Sequence, residues 1–199
     1  LKRIQVDTAR GEERVPPGQY LVGGRFPVMT AGDTPGFDIR EWDLRVIGLV
    51  ENPLRVSWDE FEELPQVEVV ADMHCVTSWS KLDNVWRGVQ ARHLLELASP
   101  SREARFVSVF CDGGYTTNVP LAELYEDDAL FATHHDGEPL TPGHGHPLRL
   151  VIPRLYGWKS AKWVRGVELL SEDQPGFWEE NGYHSYGDPW REQRYSFSF

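Results

Sequence analysis

The 199 residues predict an α+β fold richer in strand than in helix, and three observations carry that expectation. Short apolar alternations separated by turn residues recur along the chain, as in "WDLRVIGLVENPLRVSW", two strands about Glu51-Asn52-Pro53. Helical signals are brief and fall between strand signals, which suits mixed layers packed on one core. A hydrophobic fraction of 40% with 12% aromatics is enough for such a core, and no stretch approaches the ~20 apolar residues of a membrane-crossing helix. One domain over residues 1–199 is expected.

Taken in order, residues 1–40 are rich in Gly and Pro ("VPPGQYLVGGRFPVMTAGDTPGFD") and read as an extended N-terminal arm and loops. In "SWDEFEELP", Ser57 is a candidate N-cap and Glu60, three residues on, completes a capping box; Pro65 stops the helix. "QVEVVADMHC" reads as a strand, which leaves Cys75 at a strand-to-loop junction. "ARHLLELASP" is a second helix, ended by Pro100. "RFVSVFCDGGYTTNVP" is a strand with a Gly-Gly turn, and "LAELYEDDALFATHHDGEPL" a short helix, a strand and a turn. "PLRLVIPRLYGWKSAKWVRGVELL" supplies two strands about a loop, and the tail "PGFWEENGYHSYGDPWREQRYSFSF" is aromatic and turn-rich without a period.

A net charge of −11 excludes nucleic acid as a partner, since phosphate binding needs clustered Lys and Arg. Cys75 and Cys111 are too few for a disulfide scaffold, and no CxxC pair, P-loop, GxGxxG or HExxH is present. The opening residues show neither an apolar signal core nor a twin-arginine pair. A cytoplasmic, non-membrane-spanning protein is expected, or a periplasmic one if a leader precedes Leu1.

Several groups could carry chemistry. Cys75 could be a small core residue, a nucleophile or a metal ligand; its junction position presents it to a cleft. His74 would point to the opposite face, so a Cys–His dyad needs His134, His135 or His144. "HGHPLRLVIP" sets His144 and Arg149 across a Pro-containing turn. "GWKSAKWV" places Lys159, Ser160 and Lys162 between two tryptophans, a set suited to an anion. In "DGGYTTN" at 112–118 the glycines let the backbone approach a ligand, or simply make a hairpin turn. The eight tryptophans and seven tyrosines are core and turn packing or a surface for a flat ligand.

The order of these segments resembles the molybdenum-cofactor domain of the sulfite oxidase family, in its short, heme-free prokaryotic branch. A strand ending in "HC" is followed by "WRG", "DGGYTTNVPL", "HGHPLRLVIP", "WKSAKWV" and "PGFWEENGYH". The resemblance implies a molybdenum–molybdopterin cofactor without heme, with Cys75 as the thiolate ligand of the metal. It implies that Phe26, Thr116, His144, Arg149, Ser160 and Lys162 bind the cofactor, together with Lys159 and Asp128 (or its neighbour Asp127). Tyr183 and His184 of "NGYH" fall on the substrate side. It further implies oxygen-atom transfer to or from a small substrate, with electrons exchanged through an external partner such as a cytochrome or a membrane redox subunit.

Two departures bear on the substrate. Sulfite oxidases carry an Arg in a Phe-x-Arg segment and another shortly after the Cys, where this chain has Val28 and Ser80. Losing two guanidiniums weakens recognition of a dianion. The expected reactions are therefore S-oxide or N-oxide reduction as well as sulfite-like oxidation. A thiol enzyme using Cys75, and an aromatic-lined binding module, are the competing readings.

Overall fold

The computed structural model describes residues 1–5 and 13–197, so the stretch 6–12 of the N-terminal arm lies outside the described residues. Its strands are β1 (Lys2–Gln5), β2 (Tyr20–Leu21), β3 (Asp43–Gly48), β4 (Leu54–Ser57), β5 (Gln66–His74), β6 (Trp79–Gln90), β7 (Phe106–Cys111), β8 (Thr116–Pro120), β9 (Leu130–His135), β10 (Glu138–Pro139), β11 (Arg149–Val151) and β12 (Val164–Leu170). Three short helices interrupt them: α1 (Trp58–Glu63), α2 (Ala91–Ala98) and α3 (Phe177–Glu180). This is the strand-rich α+β class that the sequence predicts.

The strands form two sheets. The first runs β1-β5-β6-β9-β10, with β11 also paired to β9 and β2 to β6; the second runs β4-β3-β12-β7-β8. The alternation around Glu51-Asn52-Pro53 becomes the antiparallel β3–β4 pair, with Leu44 opposite Val56 and Val46 opposite Leu54. Ser57 caps α1 with the expected reciprocal bonds: its hydroxyl accepts from Glu60 N–H, and the Glu60 carboxylate accepts from Ser57 N–H. Phe61 on that helix is fully buried, whereas the other side of α1 is acidic.

Two differences from the expected elements stand out. The arm is not loop throughout, since β1 adds to β5 in parallel and β2 to β6 in parallel, satisfying backbone groups at the sheet. The 12-residue β6, the longest strand, follows directly on the Cys75 loop and carries no apolar alternation to announce it. Two of its buried polar residues are partnered: Lys81 pairs with Asp136, and Asn84 donates to Ala71 O and Lys81 O. A bulge at Arg87/Gly88 lets the backbone of β9 come so close that a Cβ at Gly88 would lie 1.9 Å from Phe131 O.

The first sheet is buried on both faces. One face, with α1, α2 and the second sheet, encloses a core that includes Leu44, Phe61, Val89, Leu94, Phe131, Leu150 and Val167. The other face carries a second cluster, including Val69, Met73, Cys75, Trp79, Trp86, Leu130, Val151, Tyr156 and Trp158. Alternation along β9 and β11 sends Phe131 and Leu150 to the first cluster, and Leu130, Ala132 and Val151 to the second. Arg149 has the same parity as Val151 and so faces the second cluster, where the cavity lies. Among the described residues no helix is long and apolar enough to cross a membrane.

Candidate active site

A cavity of about 290 Å³ opens over the second cluster, with Cys75 in its wall. The end of β5 delivers Cys75 into a tight loop. Cys75 N–H donates to Trp79 O at 2.8 Å, while its own carbonyl accepts from Ser78 N–H and from Gln19 Nε2, each at 3.0 Å. Its thiol lies 3.1 Å from the Thr77 hydroxyl, and both cysteines are free. Burial pushes the Cys75 thiol above its ordinary value, with the Thr77 hydrogen bonds only partly opposing.

Cations line the same cavity. A 3-10 turn at Pro142–His144 ends on Gly145 at φ 109°, a conformation that favours glycine, and β11 follows. His144 Nε2 donates to Phe26 O at 3.1 Å, which leaves Nδ1 to accept from the Thr141 hydroxyl at 2.8 Å. Arg149 is 4% exposed and donates to His144 O and Ser160 O, but its Nε is buried without a partner. Lys162, its bridge partner in the chain pairing, donates to Met29 O at 2.7 Å and Gly143 O at 2.8 Å. Among the described residues neither cation has a carboxylate partner. Burial holds Arg149 down to about 10, and burial plus the Arg149 charge hold Lys162 down to about 7.

Seven residues assigned from sequence thus meet at one cavity: Phe26, Cys75, His144, Arg149, Ser160, Lys162 and Tyr183. The Ser160 hydroxyl accepts from Ile152 N–H, so it also fixes the turn on which it sits. The "DGG" glycines, Gly113 and Gly114, line the cavity as well, beside Tyr115.

Four assigned residues lie elsewhere. Lys159 is fully buried away from the cavity; its ammonium meets Glu179 at 2.6 Å and donates to Asn118 O, Asn118 Oδ1 and Ser185 O. Asp128 is buried beside Arg154, at 3.3 Å. Thr116 is paired with Phe110 in the second sheet. His184 turns inward on its own loop, its Nδ1 accepting from Tyr186 N–H and Gly187 N–H. For Lys159, Asp128 and His184 a protein partner already holds the polar group.

Of the residues in the arginine positions, Ser80 is fully buried with its hydroxyl 2.8 Å from His74 Nδ1, and Val28 packs on Gly143. Arg149 is the one guanidinium lining the cavity among the described residues. Sequence reading did not single out the aromatic wall near Cys75, made by Trp79, Trp158 and Trp178 with Tyr183. Tyr183 is stacked on Trp178 at 4.7 Å and meets Trp158 edge-on at 5.0 Å. The available signal was the tryptophan flanking "KSAKW".

Residues 31–178 match the oxidoreductase molybdopterin binding domain. The chain belongs to that family. It is 49% identical over 184 residues to the uncharacterized oxidoreductase YuiH of Bacillus subtilis (strain 168), covering 92% of each chain. It is 30% identical over 174 residues to the protein-methionine-sulfoxide reductase catalytic subunit MsrP of Campylobacter jejuni, covering 76% of this chain and 56% of that one. The sulfane dehydrogenase SoxCD from Paracoccus pantotrophus shares the fold, with a TM-score of 0.64 at 22% identity over 70% of this chain and 41% of that one. The resemblance to the sulfite oxidase family therefore holds, and the protein is an oxidoreductase whose cofactor is molybdenum–molybdopterin.

The cavity fits that group. A buried guanidinium with an unpaired Nε beside a half-buried ammonium, neither with a carboxylate partner among the described residues, is costly until an anion joins them. The described residues contain no cluster of three His, Cys, Asp or Glu able to hold a bare metal ion, so a metal here must bring other ligands with it. Among the described residues no histidine is bonded to Cys75: His134, His135 and His144 are bonded to Thr133, Asn84 and Phe26 respectively.

Proposed function

We propose that the protein reduces a neutral S-oxide or N-oxide at this cavity, with Cys75 as the protein's ligand to molybdenum. The single observation that carries the reading is one cavity that brings two unlike sets of residues together. Arg149 and Lys162, neither with a carboxylate partner among the described residues, line it together with Cys75 and a group of aromatic rings. Arg149, Lys162, His144 and Ser160 would hold the anionic pterin, and Cys75 would complete the sulfur ligation of the metal. The bound cofactor supplies two-electron oxygen-atom transfer chemistry.

What the chain's own residues do follows from their environment. Arg149 fixes charge and orientation, because its two donated bonds to carbonyls lock the guanidinium plane. Trp79, Trp158 and Trp178 exclude water from the thiol side. Burial, and next the neighbouring Tyr195, raise the Tyr183 phenol above its ordinary value, so it stays protonated at neutral pH and can hold a proton for the leaving oxygen. The net reaction takes two electrons and two protons and releases the deoxygenated substrate and water. With Ser80 and Val28 outside the cavity lining, Arg149 is the one guanidinium there among the described residues, which favours an uncharged oxide over a sulfite dianion. The electrons would come from an external one-electron carrier, a cytochrome or a membrane redox subunit. The naming of one relative as a catalytic subunit supports this.

The test uses protein purified from a host that makes molybdopterin. Elemental analysis is expected to give near-stoichiometric molybdenum, lost in Cys75→Ser. Viologen-driven reduction of methyl sulfoxides and N-oxides is expected to exceed ferricyanide-coupled sulfite oxidation. Full molybdenum in Cys75→Ser overturns the ligand assignment, and faster sulfite oxidation overturns the substrate assignment.

A further inference from the structure

One wall of the cavity differs from the rest. Met29, Thr30, Ala31, Gly32 and Asp33 line it, and every residue from 28 to 34 is exposed. This wall is a single extended chain between the cavity and solvent. Among the described residues, no backbone–backbone hydrogen bond joins residues 26–37 to either sheet. The segment is hooked at its ends by rings: Phe26 stacks on His144 at 4.3 Å, and Phe37 meets His146 at 5.4 Å. Between the hooks one side chain grips the backbone, as Lys162 donates at once to Met29 O on this segment and to Gly143 O on the neighbouring turn, against which Val28 packs. Gly32 and Gly36 have open space around them, and Pro27 and Pro35 keep the chain extended.

A group bound at Arg149, which is 4% exposed in the same cavity, is admitted and enclosed most readily by motion of this segment. The sheets cannot supply that motion without losing ladder bonds, whereas residues 28–34 have none to lose. We propose that residues 28–34 are a strap that opens to admit the cofactor and closes over it, and that Lys162 is the latch. Its ammonium joins the strap to the Pro142–His144 turn and lines the cavity in the same place, so closure and loading reinforce each other. What the strap covers rests on the cofactor reading above; that it is latched by Lys162 does not.

Limited proteolysis separates the two. Thermolysin cuts before apolar residues such as Val28, Met29 and Ala31, and cleavage within the strap is followed by mass spectrometry. Cofactor-free wild-type protein is compared with cofactor-loaded protein and with cofactor-free Lys162→Met. Loading is expected to slow strap cleavage at least ~10-fold, and Lys162→Met to speed it by a similar factor, the scale of one charge-assisted bond. Lys162→Gln serves if the Met variant does not fold, which its circular dichroism melt reports. Equal cleavage in loaded and cofactor-free wild type overturns the strap as cofactor cover, and unchanged cleavage in both variants overturns the latch. If the protein takes up no molybdenum from a competent host, the cofactor reading fails, while the latch stands or falls on the cofactor-free comparison alone.

Discussion

The guanidinium of Arg149 lies 5.3 Å from the centroid of the Trp86 ring, and no carboxylate among the described residues neutralises it. Phe26 flanks it at 5.6 Å, so the cation rests between two rings and two carbonyls. Ring faces and carbonyl dipoles offset part of its desolvation but do not replace a counter-ion. Arg149→Met is therefore expected to leave the melting of the cofactor-free protein within about 1 kcal/mol of wild type. It is expected to abolish most of the stabilisation that cofactor loading brings. Paired thermal melts with and without cofactor check both halves, and a large loss in the cofactor-free protein would show the arginine to be a structural strut.

Lys159 and Glu179 are the contrasting case, a fully buried pair at 2.6 Å that stays off the cavity. The Glu179 carboxylate also accepts from Trp158 Nε1 at 2.7 Å, Thr117 Oγ1 at 2.9 Å and Gly176 N–H at 3.1 Å, which ties the aromatic wall to the second sheet. Removing one partner strands the other, so Glu179→Leu is expected to destabilise by about 3–5 kcal/mol. Adding Lys159→Met should recover part of that loss, because the stranded ammonium goes too. Urea unfolding of the two single variants and the double gives the coupling directly. A strictly additive result would remove Lys159 from the account of how the wall is held.

Acid stability follows from buried imidazoles. His74 is held down to about 4 by burial, and His135 is lowered for the same reason first. A histidine lowered in the folded state takes up its proton more readily once unfolded, so the unfolded chain binds more protons between about pH 6.5 and 4. Stability is full above that window and is lost as pH falls through it. Asp43, held near 2 against burial by hydrogen bonds from Arg45, Arg165 and Arg55, adds a further loss at lower pH. His134, His144, His146 and His184 are lowered by burial as well, so denaturant unfolding across pH 4–7 is expected to show stability falling with pH, with a slope reduced by at most about one proton in His135→Gln. A flat profile would mean that neither imidazole is held neutral.

The capping box at Ser57, the β3–β4 hairpin and the Cys75 junction were legible because each is a local signal that tertiary packing reinforces. β6 was not, because its buried Ser80, Lys81 and Asn84 break the apolar alternation and are tolerated only through partners distant in sequence. At the site, motif order brought seven residues to one cavity. Spacing alone could not tell which lysine of "KSAKW" faces it: the tight turn after Trp158 sends Lys159 to Glu179 and Lys162 to the strap. Asp128 and His184 were obscured for a similar reason, their partners being Arg154 and two backbone N–H groups that no motif displays.

Tyr183 and His184 are neighbours in sequence with opposite surroundings, which makes them a sharp test of the substrate side. Tyr183 lines the cavity with its ring stacked on Trp178, whereas the His184 ring is engaged by its own loop. Tyr183→Phe keeps the stacking and removes the hydroxyl, so molybdenum content and KM should change little. The turnover number for an oxide should fall by about 10²-fold, the usual scale for losing a positioned proton donor. His184→Ala should instead lower thermal stability, because Tyr186 N–H and Gly187 N–H lose their acceptor. Steady-state kinetics with a viologen donor, read beside metal content and melting curves, separates the two. Unchanged turnover in Tyr183→Phe would remove the phenol from the chemistry and leave the ring as packing alone.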